Sequence, residues 1–536
     1  MASFKLSDSK MLDFKELAGA AVAGVVVLYT LSHLNTALRR YRAAKKAGCK
    51  PPVPVFAADS SGFRIVKEVA KAMDEKAFPQ WVLKQFRLTS EEQGREVNTM
   101  TFAIPLFDQS IVTRDPENIQ AILATQFADF GLGPNRCNGF KPLLGNGIFA
   151  TDGKPWEHSR ALLRPSFARS QISDLEVEER HVSSLMKALE SHLSKDNGWT
   201  GKVDLLPLFF NLTLDSSTEF LFGESAGTQV AALTGTSNNT FADDFNDSQL
   251  VLALASRLGP YYWTMHNAAF RRSVKRTHEY VDKFVNIALQ SDGSSKGKTG
   301  DGKEKYVFLE ELAQRTRDPE ELRSQLLNIL LAGRDTTAST MGWFFYLMAL
   351  DENRETYNKL RTIILETFGT YANPKDITFE SLKNCRYLQW CLNETLRVYP
   401  VVPYNGRAAL RDTTLPTGGG PDGKSPIFVR KGQSVEYSVI AMHLRTSLWG
   451  EDAASFRPER WEGRRPGWDY LPFNGGPRIC IGQQFALTSL GYWIVRLMQR
   501  IDRIDGSEVG DVKYDASLTI CPGAGVNVKV HFVDAE

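Results

Sequence analysis

The chain has 536 residues, of which 42% are hydrophobic and 24% charged, a balance that suits a globular protein and excludes wholesale disorder. Its formal net charge of +2 gives no basis for nucleic acid as a partner. Six scattered cysteines, with no Cys-x-x-Cys pair, exclude a zinc knuckle and a disulfide framework and put the main body in a reducing compartment.

The first 16 residues carry lysines balanced by Asp8, Asp13 and Glu16. From Leu17 to Leu38 the chain then reads LAGAAVAGVVVLYTLSHLNTAL, 22 residues without a charge. As a helix this run spans about 33 Å, enough to cross a bilayer. A cleaved secretory signal is the bland alternative, but its apolar core is usually shorter. The flank that follows is RRYRAAKKAGCK, and positive charge stays on the cytoplasmic side. Residues 1–16 are therefore expected in the lumen, 17–38 in the membrane, and the body in the cytosol. Residues 39–60 read as a basic, Pro-rich linker, stiffened by Pro51, Pro52 and Pro54, that sets residues 61–536 off from the membrane.

Two Gly/Ser-rich stretches, Gly223 to Thr240 and Ser291 to Lys305, read as loops. Sequons at Asn211, Asn238, Asn246 and Asn393 would not meet the glycosylation machinery in that topology. Most of the rest reads as helix, and the clearest runs from Asp318 to Leu350. Asp318 can cap it, Pro319 fits the first helical position, and Glu320 and Glu321 suit its positive end. Its body is apolar on nearly all sides, as in a helix through the middle of a large core. Charges at Arg323, Arg334 and Asp335 speak against a second membrane span. Strand signals are short, near Phe428 to Met442 and in VNVKVHFV at the end. The expected fold class is mainly α with a minor β part.

Five motifs carry the candidate chemistry. In KPWEHSRALLRPSF, Trp156 and Arg160 lie four apart, so on a helix both can reach one acidic group; an ordinary amphipathic helix reads the same way. In AGRDTT, Ala332 and Gly333 remove bulk so that a flat object can lie against the helix. Asp335 and Thr336 set a carboxylate and a hydroxyl beside that gap, and a mid-helix threonine can bond back one turn. The alternative there is a glycine kink with a solvated aspartate. In ETLR, Glu394 and Arg397 share a helical face, which alone makes a surface pair worth about 0–1 kcal/mol. FRPERW adds Arg460, and a buried cluster of the three would be a structural lock that is expensive to break. Last comes FNGGPRICIG, where rigid turn residues precede a single cysteine, Cys480, and a helix-compatible run follows.

The order of these motifs resembles the cytochrome P450 superfamily, the haem-thiolate monooxygenases, from about Pro51 to the C-terminus. The cysteine loop fits Phe-x-x-Gly-x-Arg-x-Cys-x-Gly at Phe473, Gly476, Arg478, Cys480 and Gly482. The resemblance implies that Cys480 is the proximal thiolate on the iron of haem b, a ligand that favours O–O cleavage. The turn at Gly475, Gly476 and Pro477 would aim N–H groups at the sulfur and, with the helix start, keep it ionised. Phe473 would shield it, and Gly482 would let the next helix approach the porphyrin. Arg478 is expected on a haem propionate, with Trp156, Arg160 and Arg407 as further candidates. On the other side, Ala332 and Gly333 would lie over the haem, Thr336 would hold the water that relays protons to dioxygen, and Asp335 would couple that water to solvent.

Longer stretches, HSRALLRPSFARSQISDLE, TLPTGGGPDGKSPIFVRKG and GEDAASFRPERW, resemble the fungal branch that hydroxylates alkanes and fatty acids, family 52 of the superfamily. Fungal relatives also oxidise lipid-like intermediates of secondary metabolism, and both substrates stay open. Ile329, Leu330, Val401, Val402 and Ile520 are candidates for a channel lining, with core packing as the alternative. The chain ends 56 residues after Cys480, so electrons from NADPH are expected through a separate NADPH-cytochrome P450 reductase, with cytochrome b5 as a second donor. The other expected partners are membrane lipid and a hydrophobic small molecule, with the protein on the endoplasmic reticulum membrane. Two alternatives are a haem-thiolate catalyst that uses peroxide or rearranges its substrate, and a haem-binding sensor or carrier without turnover.

Overall fold

The computed structural model describes residues 8–56, 62–104, 107–168, 175–194, 198–236, 240–290 and 306–533. The expected loop at 291–305 and the sequon at Asn238 lie outside the described residues. What is described is mainly α with short strands. The first helix, α1, runs Asp8–Lys46. Its segment Glu16–Lys46 is long and apolar enough to cross a membrane, and none of its most apolar stretch is buried against the body. It ends where Gly48 turns the chain with φ +68°.

The expected linker differs in two ways. Its basic half, Arg39 to Lys46, continues the helix, because nothing before Gly48 breaks it. Its Pro-rich half is no spacer, since the Lys50 N–H donates to Pro426 O at 2.9 Å and the Gly420 N–H to Pro51 O at 3.0 Å. Val53–Pro54 then forms β1 of the main sheet.

That sheet also contains β2 (Thr99–Phe102), β3 (Ser110–Thr113) and β4 (Phe130–Gly131), and two strands from late in the chain, β5 (Tyr404–Ala409) and β6 (Ser434–Ser438). Their spatial order is β1-β2-β3-β6-β5-β4. The single strand signal near Phe428 to Met442 resolves into the end of Ser425–Val429, then β6, then a short helix, Val439–His443. Gly432, at φ +85°, makes the turn between the two strands. The expected loop from Gly223 likewise contains a short helix, Thr228–Thr234.

Around the sheet stand α2 (Pro134–Leu144), α3 (Gly153–Leu163), α4 (Leu205–Phe222), α5 (Thr240–Arg257), the long α6 (Pro319–Ala349), α7 (Arg386–Val398) and α8 (Gln483–Arg500). The start of α6 is as the sequence predicts: Asp318 accepts from the N–H groups of Glu320 and Glu321, with Pro319 at the first position. Two cores meet this helix. Leu322 to Leu330 pack with residues of α2 to α5. Ala338 to Ala349 pack with α7 and α8, where Trp343 stacks on Tyr399 at 4.1 Å. Between the two clusters lies the AGRDTT segment.

Candidate active site

The cysteine loop is set by backbone geometry. Gly476 has φ +67°, and a Cβ there would fall 1.9 Å from the Leu123 carbonyl oxygen, so only glycine fits. Gly476–Arg478 form one turn of 3-10 helix. The Ile479 N–H then donates to Gly476 O at 3.0 Å and the Cys480 N–H to Phe473 O at 2.9 Å. Phe473 is half-buried beside the thiol. A Cβ on Gly482 would meet the Phe167 ring at 3.5 Å, an ordinary contact. Packing within the chain therefore does not demand glycine at 482, which leaves close approach of a flat group as the expected reason.

Cys480 carries accessible surface, yet burial raises its thiol above the ordinary value. Both hold where a side chain opens on a hollow inside the molecule. Against burial stand the Gly482 N–H and the Arg160 cation. Within the chain alone, one N–H and one cation do not offset that desolvation. A bound metal cation reverses that balance.

Trp156 and Arg160 project from α3 on one face, with the Arg160 guanidinium 6.0 Å from the Trp156 ring centroid. Arg160 donates to Ile479 O at 3.0 Å, beside Cys480. Trp156 is buried under the Arg478 guanidinium, 4.3 Å from its ring centroid. Among the described residues no acidic side chain is shared by the two. Arg478 donates to Asp152 at 2.7 Å and to Thr151 O at 3.1 Å. Arg407 donates to Asn405 Oδ1 at 3.2 Å, and the same oxygen accepts from Arg136 at 2.9 Å. Burial, with Arg407 as a neighbouring like charge, pulls Arg136 and Arg478 down to about 10.

Three guanidinium groups, Arg136, Arg407 and Arg478, therefore lie close together, and Asp152 pairs with Arg478. The Nε atoms of Arg136 and Arg478 are buried without a hydrogen-bond partner. Buried, unspent cationic donors are costly unless an anion meets them. This donor set fits the propionates of a haem. Sequence reasoning missed Arg136 and Asp152. Asp152 precedes α3 as a helix cap would, but its side chain accepts from the Leu132 and Gly133 N–H groups and from Arg478 instead.

On α6, Leu331, Ala332, Gly333 and Thr336 keep partial exposure in a helix otherwise buried at nearly every turn. Ala332 and Thr336 stand one turn apart on one face. The Thr336 hydroxyl donates to Ala332 O at 2.7 Å. Gly333 serves a different purpose from the one expected: a Cβ there would meet Ser217 Oγ of α4 at 3.3 Å, so its gap admits the neighbouring helix. Ala332 is left to face the open side. Asp335 is buried and its carboxyl is pushed up by desolvation, with Arg334 opposing at 3.1 Å. Arg334 also donates to Asn246 of α5. Of the channel candidates, Leu330, Val401 and Ile520 are packed in the core and Ile329 nearly so, while Val402 keeps some surface.

Two amides tie α6 to the elements that carry the cations. Gln325 donates to Ser159 of α3 at 2.8 Å, and Asn328 donates to Leu144 O of α2 at 2.9 Å. Beneath the loop, Glu394 and Arg397 of α7 are fully buried and joined by two hydrogen bonds of 2.8 Å. Arg460 reaches Glu394 at 3.3 Å, and Trp461 Nε1 donates to it at 3.0 Å. Arg397 also donates to His443 O at 2.9 Å. Burial and Arg397 push the His443 imidazole down to about 3, so it is neutral, and its Nε2 accepts from the Leu471 N–H at 2.9 Å. A continuous chain of bonds thus runs from Glu394 to the entry of the cysteine loop. Nothing in the sequence points to His443, which is 46 residues from Arg397.

With this geometry in hand, two kinds of likeness bear on the chain. A family model described as Cytochrome P450 matches residues 95–512. Cytochrome P450 monooxygenase g430 of Fusarium sp is 47% identical over 96% of this chain and 90% of its own length. Cytochrome P450 52A12 of Debaryomyces hansenii is 43% identical over 93% and 95%. Cytochrome P450 monooxygenase alt2 of Alternaria solani is 40% identical over 95% and 96%.

Proposed function

The chain belongs to the cytochrome P450 family of haem-thiolate monooxygenases, and we propose that its substrate is a long apolar chain, a fatty acid or alkane, oxidised at or near its end. The observation that carries this reading is the likeness to family 52 along almost the whole chain. Relatives named only as monooxygenases match as broadly and support a second reading, a lipid-like intermediate of secondary metabolism.

Haem iron with a thiolate ligand supplies the oxygen activation, and NADPH supplies electrons through a separate reductase. In our reading Cys480 is the iron ligand, held by the loop from Phe473 to Gly482. Arg407, Arg478 and Arg136 bind the propionates, with Trp156 beneath Arg478, and Arg160 stands beside the sulfur. Ala332 thins the helix over the site, while Gly333 next to it gives room to α4. Thr336 holds a water by its outward oxygen, and Asp335 passes protons to it from solvent. Glu394, Arg397 and Arg460 lock the loop from below. The catalytic domain, which starts by Lys50 and not at 61, is cytosolic and anchored in the endoplasmic reticulum membrane by residues 17–38, with cytochrome b5 as a second electron donor.

Terminal C–H bonds are stronger than internal ones, so end selectivity must come from positioning. The test is incubation of microsomes with reductase, NADPH and a panel of fatty acids, alkanes and polyketide-like lipids, followed by product mapping. Terminal alcohols or diacids are expected. Turnover of a cyclic lipid with none of any linear chain overturns the chain reading in favour of the second. In parallel, Cys480→Ser removes the red-shifted Soret band of the reduced carbon monoxide complex; an unchanged band would refute the ligand assignment.

A further inference from the structure

Arg334 is buried in the middle of α6, 6% exposed, and Asp335 beside it is 8% exposed. Consecutive helix positions point about 100° apart and do not face each other. The Arg334 guanidinium nevertheless turns onto its neighbour, with Nη1 donating to Asp335 Oδ1 at 3.1 Å. Helix periodicity does not supply that contact, so packing from two other helices must. Asn246 of α5 accepts from the same Nη1. The guanidinium also lies 5.3 Å from the ring centroid of Phe210 on α4, where a cation and an aromatic face attract. Among the described residues, Asp335 takes its one side-chain hydrogen bond from Arg334.

A buried ion pair kept for the fold alone would spend its donors. Arg334 Nε is buried without a hydrogen-bond partner among the described residues, and such an unspent donor costs stability. The other charges on the surrounding elements are engaged elsewhere. On α4, Asp215 accepts from the Thr228 and Gln229 N–H groups, and Glu219 pairs with Arg180 and His181. On α5, Asp243 is exposed, Asp244 accepts from Arg276, Asp247 acts on that same arginine, and Arg257 donates to Ala516 O. The strand Ile520–Pro522 is bonded to α6 through Trp343, and its neighbour Asp515 pairs with Lys76. On that strand burial, with Asp515 and Asp335 adding, pushes the Cys521 thiol up to about 12, so it stays neutral. Arg334 is thus the charged group that acts on Asp335.

We propose that Arg334 is a positioning residue for oxygen activation, its guanidinium holding the Asp335 carboxylate beside Thr336 for the transfer of protons. This rests on the relay reading above, in which Asp335 takes a proton from solvent and passes it to the water at Thr336. Asp335 then returns to its carboxylate, and Arg334 transfers no proton. Burial raises the Asp335 carboxyl above its ordinary value, and Arg334 opposes that rise. Left to burial alone, the carboxyl is a weaker acid and gives up its proton less readily. It also loses the hydrogen bond that fixes its direction.

The test uses full-length holoenzyme. Infrared difference spectra against Asp335→Asn isolate the uncharged Asp335 carboxyl and need no substrate. In wild type its band fades as pH rises through the folded value. In Arg334→Gln the band should persist to higher pH, because the opposing charge is gone, while Arg334→Lys keeps a cation and should stay close to wild type. With reductase, NADPH and palmitic acid as the probe, Arg334→Gln should release several-fold more hydrogen peroxide per NADPH, and Arg334→Lys should recover most of the coupling. In an Asp335→Asn background Arg334→Gln should add nothing, since its effect runs through that carboxyl. An unmoved band, or an equal rise in peroxide in that background, overturns the role of Arg334. If Asp335→Asn and Thr336→Ala both leave peroxide at the wild-type level while the band still moves, the relay reading falls, and this inference falls with it. Should Arg334→Gln fail to fold, Asn246→Ala removes the anchor, leaves the arginine in place and carries the same expected directions. If palmitic acid is not oxidised, the infrared comparison decides.

Discussion

The Thr336 hydroxyl gives its proton to the Ala332 carbonyl at 2.7 Å, so the oxygen it presents outward only accepts hydrogen bonds. Such an oxygen orients a water with one hydrogen toward itself and the other free to move. Thr336→Ala removes that acceptor and leaves Cys480 and the arginines untouched. The variant should keep haem and the thiolate spectrum, while product formed per NADPH consumed falls several-fold and hydrogen peroxide rises. An unaltered ratio would refute the role. Thr336, Asp335 and Cys480 were legible in the sequence because each sits in a short motif whose spacing states its chemistry. Arg136 and Asp152 were not. Asp152 finds Arg478 across 326 residues and Arg136 finds Asn405 across 269, distances over which a single sequence carries no pairing signal. The direction of the Cys480 shift was also illegible, since it depends on how many atoms surround the sulfur.

Among elements, α7 carries most of the structural consequence. Its pair Glu394 and Arg397 is fully buried, and Arg397 spends its remaining donors on His443 O, Ala453 O and Ser455 O. Glu394→Gln leaves the Arg397 charge buried without a counterion, and one-sided removal of a buried pair costs about 3–5 kcal/mol. Denaturant unfolding should show a loss of that size, with poorer haem retention, because the chain of bonds through His443 to Leu471 holds the loop entry. A loss within the range of an exposed pair, about 0–1 kcal/mol, would sink the idea of a lock. The i, i+3 spacing made the first two charges legible, and burial, which decides their worth, came only from the structure. Element length explains the rest. The cap and long apolar run of α6 were plain, whereas β2 and β3 are four residues each, too short for an alternating pattern to stand out. The helix Thr228–Thr234 hid in a polar stretch for the same reason.

At the scale of the whole molecule, α1 decides how the body meets lipid. Its 39 residues make about 58 Å of helix, against a hydrocarbon core of about 30 Å. The apolar run ends at Leu38, and the helix continues only about 12 Å further, to Lys46. Four residues on, Lys50 is already bonded to Pro426, and Arg40 pairs with Asp412 at 3.1 Å. With α1 across the membrane as proposed, the body would be held close to the membrane face, with Arg39, Arg40, Arg42, Lys45 and Lys46 at headgroup level. Basic residues there contribute about 1 kcal/mol each toward anionic lipid, and salt screens that attraction. Exposed Trp263 and Leu250, 63% and 53% accessible, add apolar surface on the body. Deleting residues 1–38 should leave the fold intact, because none of the apolar stretch is buried against it. The truncated protein should show the same reduced carbon monoxide spectrum, sediment in part with microsomes at low salt, and leave them largely at high salt. Complete release at low salt would show that the basic flank does not touch lipid. In sealed microsomes carrying the full chain, added protease should digest the body, since positive charge after a span favours the cytosolic side. Protection of the body would reverse that orientation and separate it from a cytosolic reductase.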